Sequence, residues 1–119
     1  MATPKDRAID YIEIQATDLT KTKAFFTALL GWTFTDYGPD YVAFEDGRIA
    51  GGLYRSEQTA AVATGSVLVV LYACNLEASL QQARALGATI SREIFSFPGG
   101  RRYHFIAPGS GEFAVWSDA

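Results

Sequence analysis

The second half of the chain repeats the order of elements found in the first half. A strand-like segment (residues 9–15) leads into Asp18-Leu19, an amphipathic stretch and a glycine, and the same order returns from residue 67 through Asn75-Leu76. The offset is 57 residues between Asp18 and Asn75 and 61 between Phe44 and Phe105. A repeat of this length indicates two copies of one supersecondary unit that share a core. Two such units facing each other enclose a concave space in which a ligand can bind.

The first strand-like segment alternates between apolar and polar side chains. Ile12 and Ile14 point to one side, and Tyr11, Glu13 and Gln15 point to the other. This period of two predicts a strand with one face on the core. We expect the isoleucines to pack against a helix and the three polar side chains to face the concave space.

Two helices are predicted by their capping residues and their apolar spacing. Asp18 suits an N-cap, residues 19–30 carry apolar side chains at helical spacing, and Gly31 supplies a left-handed stop. Asn75 and Gly87 bound a second helix in the same way.

Short strands separated by turn residues complete each half. The predicted strands are residues 32–35, 41–45, 49–54, 102–105 and 112–116, with one further strand before the turn at Phe97-Pro98-Gly99-Gly100, and 67–72 is predicted to be a strand buried on both faces. Each half therefore has the order β-α-β-β-β, which predicts an α+β fold with two βαβββ modules, a curved mixed sheet and a concave cleft. At 119 residues we expect a single domain (1–119), with module one at about 8–55, a linker at 56–65 and module two at about 66–117.

Charge and hydropathy argue against several classes of partner. The formal net charge is −3, and Arg101-Arg102 is the only adjacent basic pair, which disfavours nucleic acid. The apolar run at 67–74 is too short for a bilayer, and no secretion signal opens the sequence. Cys74 is expected to be a small buried hydrophobe. We therefore expect a cytoplasmic protein without a nucleic acid or membrane partner.

Several motifs together resemble a known superfamily. They are Asp18-Leu19, Phe25-Phe26, Leu30-Gly31-Trp32, Gly51-Gly52, the run from Gly99 to Phe105, and the run from Glu112 to Trp116. In this order the sequence resembles the vicinal oxygen chelate superfamily, which includes glyoxalase I, fosfomycin and bleomycin resistance proteins and extradiol dioxygenases. The resemblance covers about residues 8–117 and implies paired βαβββ modules and a homodimer.

The resemblance also implies where a metal would bind, and this sequence departs from that pattern. Metal-using members place ligands on the first and last strands of each module. Here those positions fall on Tyr11, Leu53, Leu68 and Ala114, or on Val115 with one inserted residue. Because aliphatic side chains do not ligate metals, we predict that the usual metal site is absent and that no cofactor is used.

Glu13 and His104 are the candidate catalytic residues. A carboxylate beside a tyrosine could act as a general base, although Glu13 could equally pair with Arg102 or face water. His104 is the only histidine, and it shares a side of its strand with Arg102. The two could bind an anionic substituent, or His104 could be purely structural. Arg101 is expected to be solvated and Glu112 to be a rim residue.

Further candidates for ligand contact are aromatic or polar. The complete set of predicted ligand-binding residues is Tyr11, Glu13, Gln15, Tyr54, Tyr72, Arg102, His104 and Trp116. Tyr41 could add to the aromatic walls, and Gly51-Gly52 would allow a close approach of backbone or ligand. The aromatic residues could also be ordinary core or interface residues.

Three hypotheses follow. The first is a metal-independent protein that binds a small apolar or aromatic molecule, for sequestration or resistance. The second is a metal-free isomerase or lyase that uses Glu13 or His104 as acid or base. The third is an interaction module or accessory subunit whose cavity is vestigial. A fold alone does not choose among them.

Overall fold

A computed structural model describes residues 3–119 and contains two modules with the same order of elements. Module one comprises β1 (Tyr11–Ala16), α1 (Leu19–Leu30), β2 (Thr33–Asp36), β3 (Tyr41–Glu45) and β4 (Ala50–Arg55). Module two comprises β5 (Val69–Tyr72), α2 (Leu76–Ala85), β6 (Thr89–Phe97), β7 (Gly100–Ile106) and β8 (Glu112–Ser117). A 3-10 turn at Val62–Thr64 lies between them.

Each module forms one four-stranded mixed sheet. The strand orders are β1-β4-β3-β2 and β5-β8-β7-β6, so corresponding strands occupy corresponding places. The first strand of each module runs parallel to the last, and the remaining pairs are antiparallel. This topology confirms the predicted α+β fold of two βαβββ modules.

The helices begin at the predicted N-cap residues, and the chain turns at the predicted glycines after each helix. The Asp18 side chain accepts a hydrogen bond from the Lys21 backbone N–H at 3.0 Å, and α1 ends at Gly31 with φ 71°. The Asn75 side chain accepts from the Ala78 N–H at 3.0 Å. Helix α2 ends at Ala85, two residues before Gly87, whose φ of 99° turns the chain.

An aromatic cluster joins the two modules. Phe26 of α1 stacks on Trp32 at 4.7 Å between ring centroids and meets Phe113 of β8 edge-on at 5.0 Å. Phe113 in turn stacks on Phe105 at 5.6 Å. Because aromatic rings bury large areas, this contact of α1 with the sheet of module two gives the halves a common core.

Two predictions about burial are wrong. The strand predicted over 67–72 begins at Val69, and Val67 is 87% exposed. Val70 and Tyr72 are 43% and 50% exposed, because the face of β5 opposite the core has no covering element. Cys74 is likewise exposed, since it follows the end of β5 rather than lying inside it.

Neither helix in residues 3–119 has both the length and the hydropathy that a bilayer crossing requires.

Candidate functional site

The concave face of each sheet is the face opposite the core, and in module one it carries the predicted polar side chains. Ile14 is buried and Ile12 packs against the core, so Tyr11, Glu13 and Gln15 project from the other face, as predicted. Strand β4 lies between β1 and β3. Its Gly52 is paired with Glu13 of β1 on one side and with Ala43 of β3 on the other, and its Tyr54 is paired in the same way with Gln15 and Tyr41.

A chain of hydrogen bonds links Tyr11, Tyr41 and Glu13. The Tyr41 hydroxyl donates to Glu13 Oε2 at 2.9 Å, and the hydroxyl oxygens of Tyr11 and Tyr41 are 2.5 Å apart. Because Tyr41 has a single proton, Tyr11 must donate to Tyr41 in this arrangement. Burial raises the pKa of Tyr41 well above its usual value, and the hydrogen bonds with Tyr11 and Glu13 raise it further. Tyr41 is therefore a neutral hydroxyl at physiological pH.

The missing side chain of Gly52 makes room for this chain. A Cβ at Gly52 would lie 2.0 Å from the Tyr41 hydroxyl oxygen and 3.0 Å from that of Tyr11. On the core side, a Cβ at Gly51 would lie 2.3 Å from Phe44 Cζ. Gly51-Gly52 was predicted to allow a close approach of backbone or ligand; the Ile12 carbonyl oxygen makes such an approach at Gly51, and the other approaching groups are aromatic side chains.

The remaining predicted residues of module one are at the margins of this face. Gln15 donates to Ser56 Oγ at 3.3 Å, and Tyr54 is half-buried on β4.

A hollow of about 500 Å³ in front of the sheet is lined by nine residues, namely Tyr11, Thr33, Thr35, Tyr37, Tyr41, Ala43, Phe44, Glu45 and Ala50.

The concave face of module two carries a different network, centred on His104. His104 is 5% exposed. Its Nε2 lies 3.3 Å from Arg102 Nε and 3.0 Å from Arg102 Nη2, and its Nδ1 lies 3.4 Å from Glu112 Oε2. Arginine can only donate, so Nε2 accepts and Nδ1 carries the proton that points to Glu112. His104 is thus held as one neutral tautomer.

Burial, neighbouring charges and hydrogen bonds together shift the pKa values of His104 and Glu112. Burial lowers the pKa of His104, and the cations Arg102 and Arg92 lower it further, against the opposing effect of Glu112. For Glu112 burial favours the neutral acid, but hydrogen bonds from the Val62 N–H, Ser91 and His104 outweigh it and lower the pKa of the carboxyl. A carboxylate and a neutral imidazole therefore coexist at neutral pH.

Glu112 was predicted to be a rim residue, and that prediction is wrong. Its side chain is 15% exposed. It accepts from the Val62 N–H at 3.0 Å and from Ser91 Oγ at 3.0 Å, in addition to the His104 contact. The only sequence signal was its position two residues before Ala114 on the predicted final strand, which places it on the concave face.

Arg101 faces the opposite side of β7, as predicted, but it is paired rather than solvated. Its guanidinium forms a bidentate contact with Glu77 of α2, and its side chain is 32% exposed. The partner of Glu13 also differs from the predicted Arg102, because Glu13 accepts a hydrogen bond from Tyr41.

The aromatic candidates Tyr72 and Trp116 lie together on the concave face of module two. Their ring centroids are 5.2 Å apart, and Phe97 is 6.3 Å from Trp116. Tyr72 donates to Asp118 Oδ1 at 2.6 Å, and this hydrogen bond raises the pKa of Tyr72 to about 12. These rings form an exposed aromatic surface near the end of β8.

A cavity of about 280 Å³ lies where the two modules meet, and we call it the junction cavity. Its walls come from β1, β5, the start of β8 and the linker. The lining residues are Ile12, Glu13, Ile14, Gln15, Ala60, Ser66, Val67, Val69, Glu112 and Phe113. It therefore brings Glu13 and Gln15 of module one to the same space as Glu112 of module two.

A comparison with protein families identifies the scaffold. Residues 8–113 match the family model described as the Glyoxalase/Bleomycin resistance protein/Dioxygenase superfamily. The chain belongs to this superfamily. No curated protein sequence matches the chain significantly.

Several solved structures share the fold at low sequence identity. A family enzyme from Burkholderia phytofirmans PsJN is 15% identical with a TM-score of 0.77, over 93% of this chain and 100% of that one. A lactoylglutathione lyase from Agrobacterium tumefaciens is 20% identical with a TM-score of 0.72, over 95% of both chains. A fosfomycin resistance protein from Listeria monocytogenes, complexed with Mn(II) and a dihydroxypropylphosphonic acid, is 15% identical with a TM-score of 0.76, over 94% of this chain and 90% of that one.

The residues at the superfamily's metal positions do not fit a metal ion. Leu53 and Val115 are buried in the core, and Ala114 is fully buried with only a methyl group to offer. Tyr11 is engaged with Tyr41, and Leu68 is aliphatic. Within residues 3–119 no three His, Cys, Asp or Glu side chains are grouped so that they could hold a metal ion. The donor set of the metal-using members is therefore not reproduced on this chain.

The two catalytic candidates belong to separate clusters. Glu13 is exposed and hydrogen-bonded to Tyr41 in module one, whereas His104 is buried between Arg102 and Glu112 in module two. Glu112 connects them only indirectly, because it contacts His104 and also lines the junction cavity with Glu13.

Proposed function

We propose that this superfamily member is a metal-independent protein that binds a small apolar or aromatic molecule, of the sequestration or resistance type. The junction cavity is the observation that carries the proposal. Its volume of about 280 Å³ is at the small end of the range for ligand pockets, so it suits a compact molecule.

The wall chemistry of the junction cavity supports an apolar ligand with one polar group. Ile12, Ile14, Val69 and Phe113 form a hydrophobic surface along β1, β5 and β8. Burial of an apolar ligand against this surface is favourable by roughly 25 cal/mol for each Å² removed from water.

The polar groups in the junction cavity would orient such a ligand. Glu13 and Gln15 enter from β1 and Glu112 enters from β8. Carboxylates accept hydrogen bonds, so these groups favour a ligand with a hydroxyl or an amine rather than an acid.

Metal independence is supported by the residues at the expected ligand positions. Tyr11, Leu68 and Ala114 supply at most one weak donor among them. Binding through the cavity walls requires no metal.

Direct ligand binding tests the proposal. A set of small alcohols, amines and phenols should be screened by thermal shift in the presence of a chelator. A compound at a hundred times its Kd should stabilise the protein by about 2.7 kcal/mol. The proposal fails if no compound class raises the melting temperature.

A blocking variant and a matched control connect any hit to the junction cavity. Ser66 is exposed and lines the cavity, so Ser66→Trp should fill the entrance and abolish the thermal shift. Ala63 is exposed on the same linker but is not part of the wall, so Ala63→Trp should leave binding unchanged. Equal loss in both variants would contradict the assignment.

The hydrogen-bond chain from Tyr11 through Tyr41 to Glu13 favours one second candidate. In a metal-free isomerase or lyase, Glu13 would accept a proton from a carbon acid, and the hydroxyl of Tyr11, at the exposed end of the chain, would rotate away from Tyr41 to donate to the developing oxyanion. Turnover of an enolisable carbonyl compound that Glu13→Gln and Tyr11→Phe each reduce at least tenfold would support this candidate. Undiminished turnover in both variants would eliminate it.

A further inference from the structure

Two arginines of module two share one aromatic platform. The Arg92 Cζ lies 3.6 Å from the centroid of the Phe95 ring, and the Arg102 Cζ lies 5.7 Å from the same centroid. Phe95 is three positions after Arg92, which would place the two on opposite faces of a regular strand. The register of β6 shifts between these two residues, and the shift brings both to the concave face.

Within residues 3–119, neither Arg92 nor Arg102 forms an ion pair with a carboxylate. In the described chain, residues 3–119, the ion pairs involve other arginines and lysines and the pair of His104 with Glu112. Glu112 is the acidic residue of this network, but its oxygens already accept from the Val62 N–H, Ser91 and His104. Two positive charges therefore lie on one face of a chain whose net charge is −3.

His104 holds the Arg102 side chain in place without neutralising its positive charge. The neutral ring accepts from Nε and Nη2 of Arg102 and is itself held by Glu112. A guanidinium has five N–H donors in a planar fork, so this contact leaves the others free for a ligand. A preorganised guanidinium loses less side-chain entropy on binding an anion than a free one.

Aromatic rings extend the platform away from the arginines. The Arg102 Cζ is 6.0 Å from the Phe97 ring centroid, and Phe97 is 6.3 Å from Trp116. Phe95, Phe97 and Trp116 are each half-buried, so part of each side chain is open to a ligand.

We propose that the concave face of module two binds a small aromatic anion, with its carboxylate or phosphate held by Arg92 and Arg102 and its ring on Phe97 and Trp116. His104 and Glu112 are positioning residues for Arg102. Glu112 also lines the junction cavity, but the two arginines and the two rings that would contact the anion do not, so either site can fail without the other.

Phenyl phosphate is a suitable probe, and Trp116 provides the signal. Trp32 is 6% exposed in the core, so a change in tryptophan fluorescence on titration reports on Trp116. Saturable binding of phenyl phosphate is expected. Arg92→Gln and Arg102→Gln should each weaken it by about tenfold, since a charge-assisted hydrogen bond is lost. Arg101→Gln is the matched control, because its side chain faces α2, and it should leave binding unchanged.

Two analogues of phenyl phosphate test the anion contact and the ring contact separately. Phenol lacks the charge and inorganic phosphate lacks the ring, so both should bind more weakly than phenyl phosphate. Equal affinity for phenol, equal loss in Arg101→Gln, or no saturable binding of phenyl phosphate at millimolar concentration would overturn the proposal. Ser66→Trp should retain phenyl phosphate binding, which distinguishes this site from the junction cavity.

Discussion

The concave faces of the two modules are equivalent in topology and opposite in chemistry. Both pair a residue of the third strand with a small residue of the last strand, Ala43 with Gly52 in module one and His104 with Ala114 in module two. Module one surrounds this point with phenol and carboxylate groups. Module two surrounds it with arginines, an imidazole and aromatic rings.

The networks also differ in how many segments of the chain they join. In module one the network joins only β1 and β3, across the intervening β4, through Tyr11, Tyr41 and Glu13, close to solvent. In module two Glu112 joins β6, β7, β8 and the linker turn. The duplicated scaffold thus determines where side chains can meet, and the side chains that meet at that place differ between the modules.

Replacing the carboxylate of each network should give the largest difference. Glu112→Ala leaves His104, Ser91 and the Val62 N–H without their acceptor, and we expect a loss of roughly 2–3 kcal/mol in the free energy of unfolding. Glu13→Ala removes one acceptor that water can replace, so its loss should be clearly smaller. Urea unfolding of both variants measures this. A larger loss for Glu13→Ala would refute the comparison.

Local signals were sufficient for the fold but not for this network. Asp18, Gly31 and Asn75 act within one or two turns of the chain, so the sequence predicts the helices they bound. The burial of Glu112 depends on Val62, which is 50 residues away, and on Ser91, which is 21 away. A periodic pattern in the sequence does not reveal side-chain contacts between residues this far apart.

The same limit explains the other errors. The apolar run at 67–72 indicates a strand but does not show whether another element covers each face, and one face of β5 stays open. The position of Arg92 over Phe95 depends on a register shift in β6, which alternation in the sequence cannot reveal. The sequence placed His104 beside Arg102, and the second cation at this site, Arg92, was missed.

A methyl group added at the small position of module one should have the next largest effect. Gly52→Ala places a Cβ 2.0 Å from the Tyr41 hydroxyl oxygen, so the tyrosine must move, at a cost of about 1–2 kcal/mol. In module two Ala114 occupies this place, and Arg102, the counterpart of Tyr41, contacts His104.

Tyrosine titration makes the Gly52→Ala test specific. Displacement should break the hydrogen bonds of Tyr41 and lower its raised pKa toward 10.0, the ordinary value for tyrosine. Tyrosinate absorbance measured against pH reports this change. If stability falls while the titration curve stays unchanged, the contact over Gly52 is not what holds the tyrosine.

Acid should weaken module two through His104 and Glu112. Because the folded-state pKa of His104 is below its ordinary 6.5, its contribution to stability is complete above pH 6.5 and is lost as pH falls through the lowered value. Glu112 acts in the same direction below its ordinary 4.5. The urea midpoint should therefore decrease from about pH 7 to about pH 5. In His104→Gln this decrease should be smaller, and an unchanged slope would contradict the assignment.

Metal ions should have the smallest effect, because neither face presents a complete set of ligands. Module one offers the oxygens of Tyr11 and Glu13, and in module two His104 directs one ring nitrogen at Arg102 and the other at Glu112. A divalent ion would have to break these hydrogen bonds and displace the arginine before it could bind. We expect a chelator, or dialysis with Zn²⁺, Ni²⁺ or Fe²⁺ followed by elemental analysis, to leave the melting temperature unchanged and to show no stoichiometric metal. Retention of one ion per chain that His104→Gln abolishes would mean that module two rearranges to bind metal, and the contrast drawn between the two faces would then need revision.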